Sequence, residues 1–115
     1  MRILFAVPDR DLLNAYRQIL TGPEREAETA FDGTQVLSRL SEKHYELLIL
    51  SDDIARIGWK EILRYCREES VKVILITTDA PSRYKGRAEE TPDALIRMPF
   101  EPDELLRLTE SVVTI

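Results

Sequence analysis

Residues 45–53, Tyr-Glu-Leu-Leu-Ile-Leu-Ser-Asp-Asp, contain the stretch that decides the fold. Leu47 to Leu50 form an aliphatic run without a polar break, and Ser51, Asp52 and Asp53 follow it directly. An apolar run this short predicts a strand that is buried on both faces, as in the middle of a parallel sheet. Because ligands of open α/β sheets bind beyond the carboxyl ends of the strands, these three polar residues mark the expected functional edge.

The composition excludes several classes of function. The chain has 115 residues, which fits a single domain covering residues 1–115. Its 16 basic and 21 acidic residues give a formal charge of −5, which argues against nucleic acid or an anionic membrane as a partner. The single cysteine, Cys66, excludes an internal disulfide and a cysteine-rich metal site. Without a signal peptide or an apolar stretch of about 20 residues, we expect a soluble cytoplasmic protein.

Strand-like and helix-like segments alternate along the whole chain. Apolar and β-branched runs predict strands near residues 3–7, 26–30, 47–51, 71–77 and 94–97. Helical spacing of apolar residues follows the first and third strands, at Leu12, Ala15, Tyr16, Ile19 and Leu20 and again at Trp59, Ile62, Leu63 and Cys66. Five βα repeats predict a doubly wound, five-stranded parallel sheet with helices on both faces and right-handed crossovers.

Capping residues and turns predict several boundaries. Asp9 is a suitable N-cap for the first helix, and Glu101-Pro102 is a typical start for the last one. Residues 31–34 predict a turn. Residues 82–90 predict a short helix with little apolar surface. Residues 111–115 follow the last helix without a linker, which we interpret as favouring a stand-alone or isolated domain.

With these segments in order, the sequence resembles the receiver domains of two-component response regulators. Ala-Phe-Asp-Gly at 30–33 with Val36-Leu37 resembles the family's turn and second helix, and residues 45–50 resemble its run into the phosphorylation site. Residues 61–64 resemble the start of the third helix. The most specific match is Pro-Phe-Glu-Pro-Asp-Glu-Leu-Leu at 99–106. The resemblance covers essentially the whole chain and implies the (βα)5 flavodoxin-like fold, strand order 2-1-3-4-5 and a cis Met98–Pro99 bond.

The resemblance also implies site positions, and most of them hold a different residue type here. An ungapped alignment puts Val7 and Pro8 where the family has two Mg²⁺-binding carboxylates. Ser51 stands at the phosphorylated aspartate, and Met98 stands at the lysine that pairs with the phosphoryl group. Only the hydroxyl at the switch position is kept, as Thr77.

These replacements remove the chemistry of phosphoryl transfer. A serine hydroxyl is neutral at pH 7 and needs a base, and His44 is expected in a surface loop at the opposite end of its strand. Mg²⁺ needs oxygen ligands that Val7 lacks and Pro8 offers only through its carbonyl. We therefore expect a pseudo-receiver that is not an enzyme, has no cofactor and acts through protein contacts.

The resemblance implies where those contacts are made. The partner, which is a histidine kinase, an output protein or a second copy of this chain, would meet the fourth helix, fifth strand and fifth helix. In this sequence these are roughly Ser82 to Glu90, Arg97, and Asp103 to Glu110. Their mixed charge is compatible with a two-fold dimer. We interpret Arg83, Lys85 and Arg87 as a solvated face rather than a phosphate site.

Two alternatives remain open. In the first, Asp52 or Asp53 is phosphorylated with Mg²⁺, and a one-residue shift lets Asp9 and Asp52 rebuild the metal site. We favour the interpretation that Asp9, Asp52, Asp53 and Asp79 are helix caps and solvated loop acids at the edge of the sheet. The second alternative is a small-ligand-binding flavodoxin-like domain, against which the first loop has no glycine-rich phosphate cradle.

Three other residues have competing interpretations. Thr77 is either a relict switch hydroxyl or, as we favour, a strand-end residue that bonds locally. Cys66 lies on an apolar stripe and is expected in the core. Trp59 begins the same stripe, and we favour partly buried packing over a hot spot for a partner.

Overall fold

A computed structural model describes residues 1–77 and 91–114. In these ranges the strands are β1 (Arg2–Ala6), β2 (Glu26–Ala30), β3 (Leu47–Ser51), β4 (Lys72–Thr77) and β5 (Ala94–Arg97). The described helices are α1 (Arg10–Leu20), α2 (Gly33–Glu42), α3 (Trp59–Glu68) and α4 (Pro102–Val113). The helix predicted near 82–90 lies outside the described residues, so the predicted fifth helix is α4 here. No helix in the described ranges is long and apolar enough to cross a bilayer.

The five strands form one parallel sheet in the order β2-β1-β3-β4-β5. This confirms the predicted doubly wound, flavodoxin-like architecture. The predicted strand bounds are correct to within one residue, because β1 ends at Ala6 rather than Val7 and β4 begins at Lys72 rather than Val71. β3 lies between β1 and β4, as expected for the central strand.

Alternate residues of the inner strands enter two separate cores. On β3, Leu48 and Leu50 face one core, whereas Leu47 and Ile49 face the other. Each side chain is fully buried because helices cover both faces of the sheet. One core is completed by residues of α2 and α3, namely Val36, Leu40, Ile62, Leu63 and Cys66. The other is completed by residues of α1 and α4, namely Leu13, Tyr16, Leu20, Leu105 and Val112.

Side chains define the helix boundaries largely as predicted. Asp9 is the N-cap of α1, and its Oδ1 accepts hydrogen bonds from the backbone N–H groups of Asp11 at 2.9 Å and Leu12 at 3.2 Å. The turn predicted at residues 31–34 is only partly correct, because α2 already begins at Gly33 with Asp32 as its N-cap. In α3, Cys66 is fully buried and Trp59 is half-buried against the same core, as predicted.

The segment between β3 and α3 packs on the start of α2. The Gly33 N–H donates to the Ala55 carbonyl at 2.8 Å, and Arg56 Nε lies 3.3 Å from Asp32 Oδ2. A Cβ atom added at Gly33 would lie 2.5 Å from the Ile57 carbonyl oxygen, which is backbone and has little freedom to move. Glycine at this position therefore lets the loop that follows Asp53 close against α2.

Gly33→Ala is expected to destabilise the protein by about 1–3 kcal/mol, the usual cost of inserting a methyl group into a filled space. Gly58→Ala is the matched control, since a Cβ there meets nothing within 4 Å. Chemical denaturation of both variants measures the difference. Equal midpoints would show that the close approach of Gly33 and Ile57 is not a packing constraint.

Candidate functional site

The register of the sheet brings the predicted site residues to one edge. Ala6 pairs with Leu50, Ser51 pairs with Ile76, and Thr77 pairs with Arg97. The carboxyl ends of β1, β3, β4 and β5 are therefore level with one another. The residues that follow these strands share a single surface, as the sequence predicted for an open α/β sheet.

A cavity of about 200 Å³ lies at this edge. All six predicted site residues of the described chain line it, namely Asp9, Ser51, Asp52, Asp53, Thr77 and Met98. Val7 and Pro8 line it as well. Asp79, the remaining acid predicted for this edge, lies outside the described residues. His44 is exposed and does not line the cavity, in keeping with its predicted place at the other end of β3.

Hydrogen bonds connect the polar residues of the cavity. The fully buried Thr77 hydroxyl donates to Asp52 Oδ2 at 2.8 Å. The Asp52 backbone N–H donates to the Ile76 carbonyl at 2.9 Å, which holds the residue after β3 against the end of β4. The Ser51 hydroxyl, on a residue that is 7% exposed, donates to Asp53 Oδ1. Asp52 thus accepts a hydrogen bond from the hydroxyl at the end of β4, and Asp53 accepts one from the hydroxyl at the end of β3.

The opposite wall of the cavity is aromatic. The rings of Phe5 and Tyr16 stack with centroids 5.2 Å apart, and Phe100 lies tilted against Tyr16 at 5.6 Å. Burial, and to a smaller extent the charge of Glu101, raises the pKa of the Tyr16 phenol. The phenol is therefore neutral at pH 7, and the wall carries no charge.

The donors at this edge do not fit the Mg²⁺ ion of the receiver family. Mg²⁺ is held by oxygen atoms in near-octahedral geometry, usually including carboxylates. The side chains of Val7 and Pro8 have no oxygen, and the Asp9 carboxylate accepts backbone N–H groups of α1. Residues 1–77 and 91–114 contain no group of three or more histidine, cysteine or acidic residues that could hold a metal.

Two features of the site were missed by sequence reasoning. The favoured interpretation of Thr77 as a locally bonding residue did not identify its partner, Asp52, which is 25 positions away in the chain. The aromatic wall was missed because Phe5, Tyr16 and Phe100 come from three separate segments. The available signal was that Val7, Pro8 and Met98 are all apolar, which predicts apolar surface at this edge.

Structural comparisons identify the fold, whereas no protein-family model and no curated protein matches the sequence. The chain is similar to the receiver domain of the Francisella response regulator 1452, with 17% identity, a TM-score of 0.85, and coverage of 98% of this chain and 96% of that chain. It is similar to the chemotaxis response regulator CheY4 of Vibrio cholerae, with 19% identity, a TM-score of 0.87, and coverage of 96% and 97%.

A third similar structure is a domain of a protein that also contains an HD domain. It is the signal receiver domain of an HD-domain-containing protein from Pseudomonas fluorescens, with 21% identity, a TM-score of 0.85, and coverage of 98% of this chain and 86% of that chain. At such identities the likeness establishes the fold alone. The chain therefore has the fold of receiver domains, and its cis Met98–Pro99 bond is as predicted.

The bond between Thr77 and Asp52 is expected to stabilise the fold, because hydrogen bonds to charged groups contribute about 1.5–3 kcal/mol. A double-mutant cycle of Thr77→Val and Asp52→Ala, measured by chemical denaturation, should give a coupling free energy above about 1 kcal/mol. Thr77→Val combined with Asp11→Ala, which removes an acid outside the cavity, should be additive. Additivity in the first cycle would show that the hydrogen bond contributes nothing.

Proposed function

We propose that this protein is a receiver module of two-component signalling that acts through protein contacts and is not phosphorylated on aspartate. The observation that carries this proposal is the set of residues at the carboxyl edge of a receiver-type sheet. Val7, Pro8, Ser51 and Met98 stand where a phosphorylatable receiver needs three carboxylates and a lysine, and all four line the cavity.

The surroundings of Ser51 support the absence of phosphoryl transfer. Transfer to a receiver depends on an anionic nucleophile and on charge neutralisation around it. The Ser51 hydroxyl is nearly buried and donates a hydrogen bond to Asp53, so it is neither anionic nor directed toward an incoming phosphoryl group. Met98 offers no positive charge to balance one.

The bond between Thr77 and Asp52 supports a signalling role without phosphorylation. The resemblance makes Thr77 the switch hydroxyl, which in the family responds to the phosphoryl group. Here it already donates to a carboxylate of the chain, at 2.8 Å. A negatively charged partner for the switch hydroxyl is thus built into the sequence. We infer that the protein holds one signalling state by default and is regulated by other means, such as its abundance or a bound partner.

Treatment of the wild-type protein with acetyl phosphate and Mg²⁺ is expected to leave its intact mass unchanged. The variant carrying Val7→Asp, Pro8→Asp, Ser51→Asp and Met98→Lys restores the family's residue types and is expected to gain one phosphoryl group, lost again on treatment with hydroxylamine. Intact-mass spectrometry measures both.

A phosphoryl group on the wild-type protein would contradict the proposal and favour the alternative receiver that uses Asp52 or Asp53. The variants Asp52→Asn and Asp53→Asn then identify the acceptor, because labelling is lost only where the nucleophile has been removed. If the labelling also needs Mg²⁺, that result would favour Asp9 and Asp52 as ligands of a rebuilt metal site.

We also propose that β5 and α4 form the contact surface for the protein partner. A groove of about 390 Å³ lies between them, with apolar atoms from Leu95, Ile96 and Leu108 and charged groups from Glu104 and Arg107. Acid and base on one surface support a self-complementary contact, in which each residue meets its opposite across a two-fold axis. The predicted part of this surface at 82–90 lies outside the described residues.

Arg107→Glu is expected to weaken self-association at least about tenfold, since it replaces an attraction across the two-fold axis by a repulsion. Arg64→Glu is the matched control, because Arg64 is exposed on α3, on the other face of the sheet. Sedimentation velocity at increasing protein concentration measures both. A wild-type protein that stays monomeric at high concentration contradicts self-association and leaves the surface to a different protein.

A further inference from the structure

The cavity at the carboxyl edge has the size and walls of a site for a small organic molecule. Its volume is about 200 Å³. An apolar cavity of about 150 Å³ in another protein is large enough to bind benzene. Small-ligand sites are typically concave and mostly apolar, with a few polar groups that fix the orientation of the ligand. This cavity combines both features, because apolar and aromatic residues line it together with the hydroxyl and carboxylate groups at the ends of β3 and β4.

The apolar residues that line the cavity indicate the chemistry of the larger, uncharged part of the ligand. Val7, Pro8 and Met98 line the cavity together with the three aromatic residues, and their side chains are apolar. Phe5 and Tyr16 are buried behind this surface, so the apolar side chains open to a ligand are chiefly the half-buried Leu12, Met98 and Phe100. A single aromatic ring with a short side chain matches this surface and volume.

The charges indicate the head group of the ligand. Asp9, Asp52 and Asp53 line the cavity, whereas none of its described lining residues is lysine, arginine or histidine. A phosphate or carboxylate on the ligand would be repelled by this rim, and a protonated amine would be attracted to it. The charges of the described lining residues therefore disfavour the anionic ligands that doubly wound domains commonly take.

We propose that the cavity binds a small arylalkylamine, with its ring against Leu12, Met98 and Phe100 and its ammonium group at the carboxylate rim. This inference goes beyond the proposed signalling function and stands independently of it. It assigns to the edge a ligand of opposite charge to a phosphoryl group. Because the Thr77 hydroxyl and its acceptor Asp52 both line the cavity, the bound amine would compete with that hydroxyl for the carboxylate.

Three probes test the proposal. Each has a phenyl ring on a two-carbon chain, and the three differ in charge at pH 7. These are 2-phenylethylamine, 2-phenylethanol and phenylacetate, titrated into the full ¹⁵N-labelled chain at pH 7 and low salt. With about nine non-hydrogen atoms, the amine should bind with a dissociation constant of about 1 mM. It should shift the amide signals of Ser51, Thr77 and Phe100. The alcohol should bind on the order of tenfold more weakly, and phenylacetate should give no saturable shift.

Variants of the cavity locate the binding. Met98→Lys puts a cation and its stem into the cavity and should weaken amine binding more than about tenfold. Ser111→Lys should leave it unchanged, because it adds the same charge on the exposed side of α4, away from the cavity. Asp53→Asn should weaken binding of the amine relative to the alcohol and leave the affinity for the alcohol unchanged.

Defined results would overturn the proposal. One is the absence of localised amide shifts with the amine up to about 10 mM, well above the affinity expected for a ligand of this size. Another is binding of the alcohol or of phenylacetate as tight as that of the amine. Undiminished amine binding by a folded Met98→Lys variant would also overturn it. If that variant does not fold, the Asp53→Asn comparison decides, since it changes charge at an exposed residue and leaves the apolar wall intact.

Discussion

The complete burial of β3 is the constraint on which the rest of the structure depends. Leu47 to Leu50 are each 0% exposed, although successive side chains point to opposite faces of the sheet. Such a strand needs apolar cover on both sides, so helices must lie on both faces. Parallel neighbours joined by helical crossovers meet this need, and they also bring all carboxyl ends to one edge. The arrangement of the site is therefore a consequence of how the central strand is buried.

The apolar residues at the carboxyl edge of the sheet are subject to the same constraint. Val7 is 3% exposed and belongs to the core of Phe5, Ile49 and Ile76, against which Met98 and Phe100 also pack. With apolar residues at these places, the core extends to the edge of the sheet. Burial of that surface is favourable, at roughly 25 cal/mol per Å². The edge thus combines buried apolar residues with the carboxylates of Asp9, Asp52 and Asp53 at one cavity.

Local sequence signals predicted the elements, whereas contacts between distant segments had to come from the structure. Strand bounds, the Asp9 cap and the buried Cys66 follow from runs, spacing and capping chemistry within a few residues. The expected stripe of α1 was partly wrong, because Leu13 is buried and Ala15 is exposed. Periodicity defines a stripe only to about one residue, and packing on the sheet decides which side chains fill it. The Thr77–Asp52 bond has no local signal, since its partners become neighbours only when β3 and β4 pair.

Strands β4 and β5 connect the carboxyl edge of the sheet to the proposed contact surface. Thr77 ends β4 and pairs with Arg97 of β5, which is exposed beside α4. A rearrangement of the end of β4 between two positions, with and without the Thr77–Asp52 bond, would reach β5 first because the two strands pair. A ligand or partner shifts such an equilibrium only by its difference in affinity for the two arrangements. An amine that binds Asp52 more tightly when the Thr77 hydroxyl is not bonded to it would have such a difference.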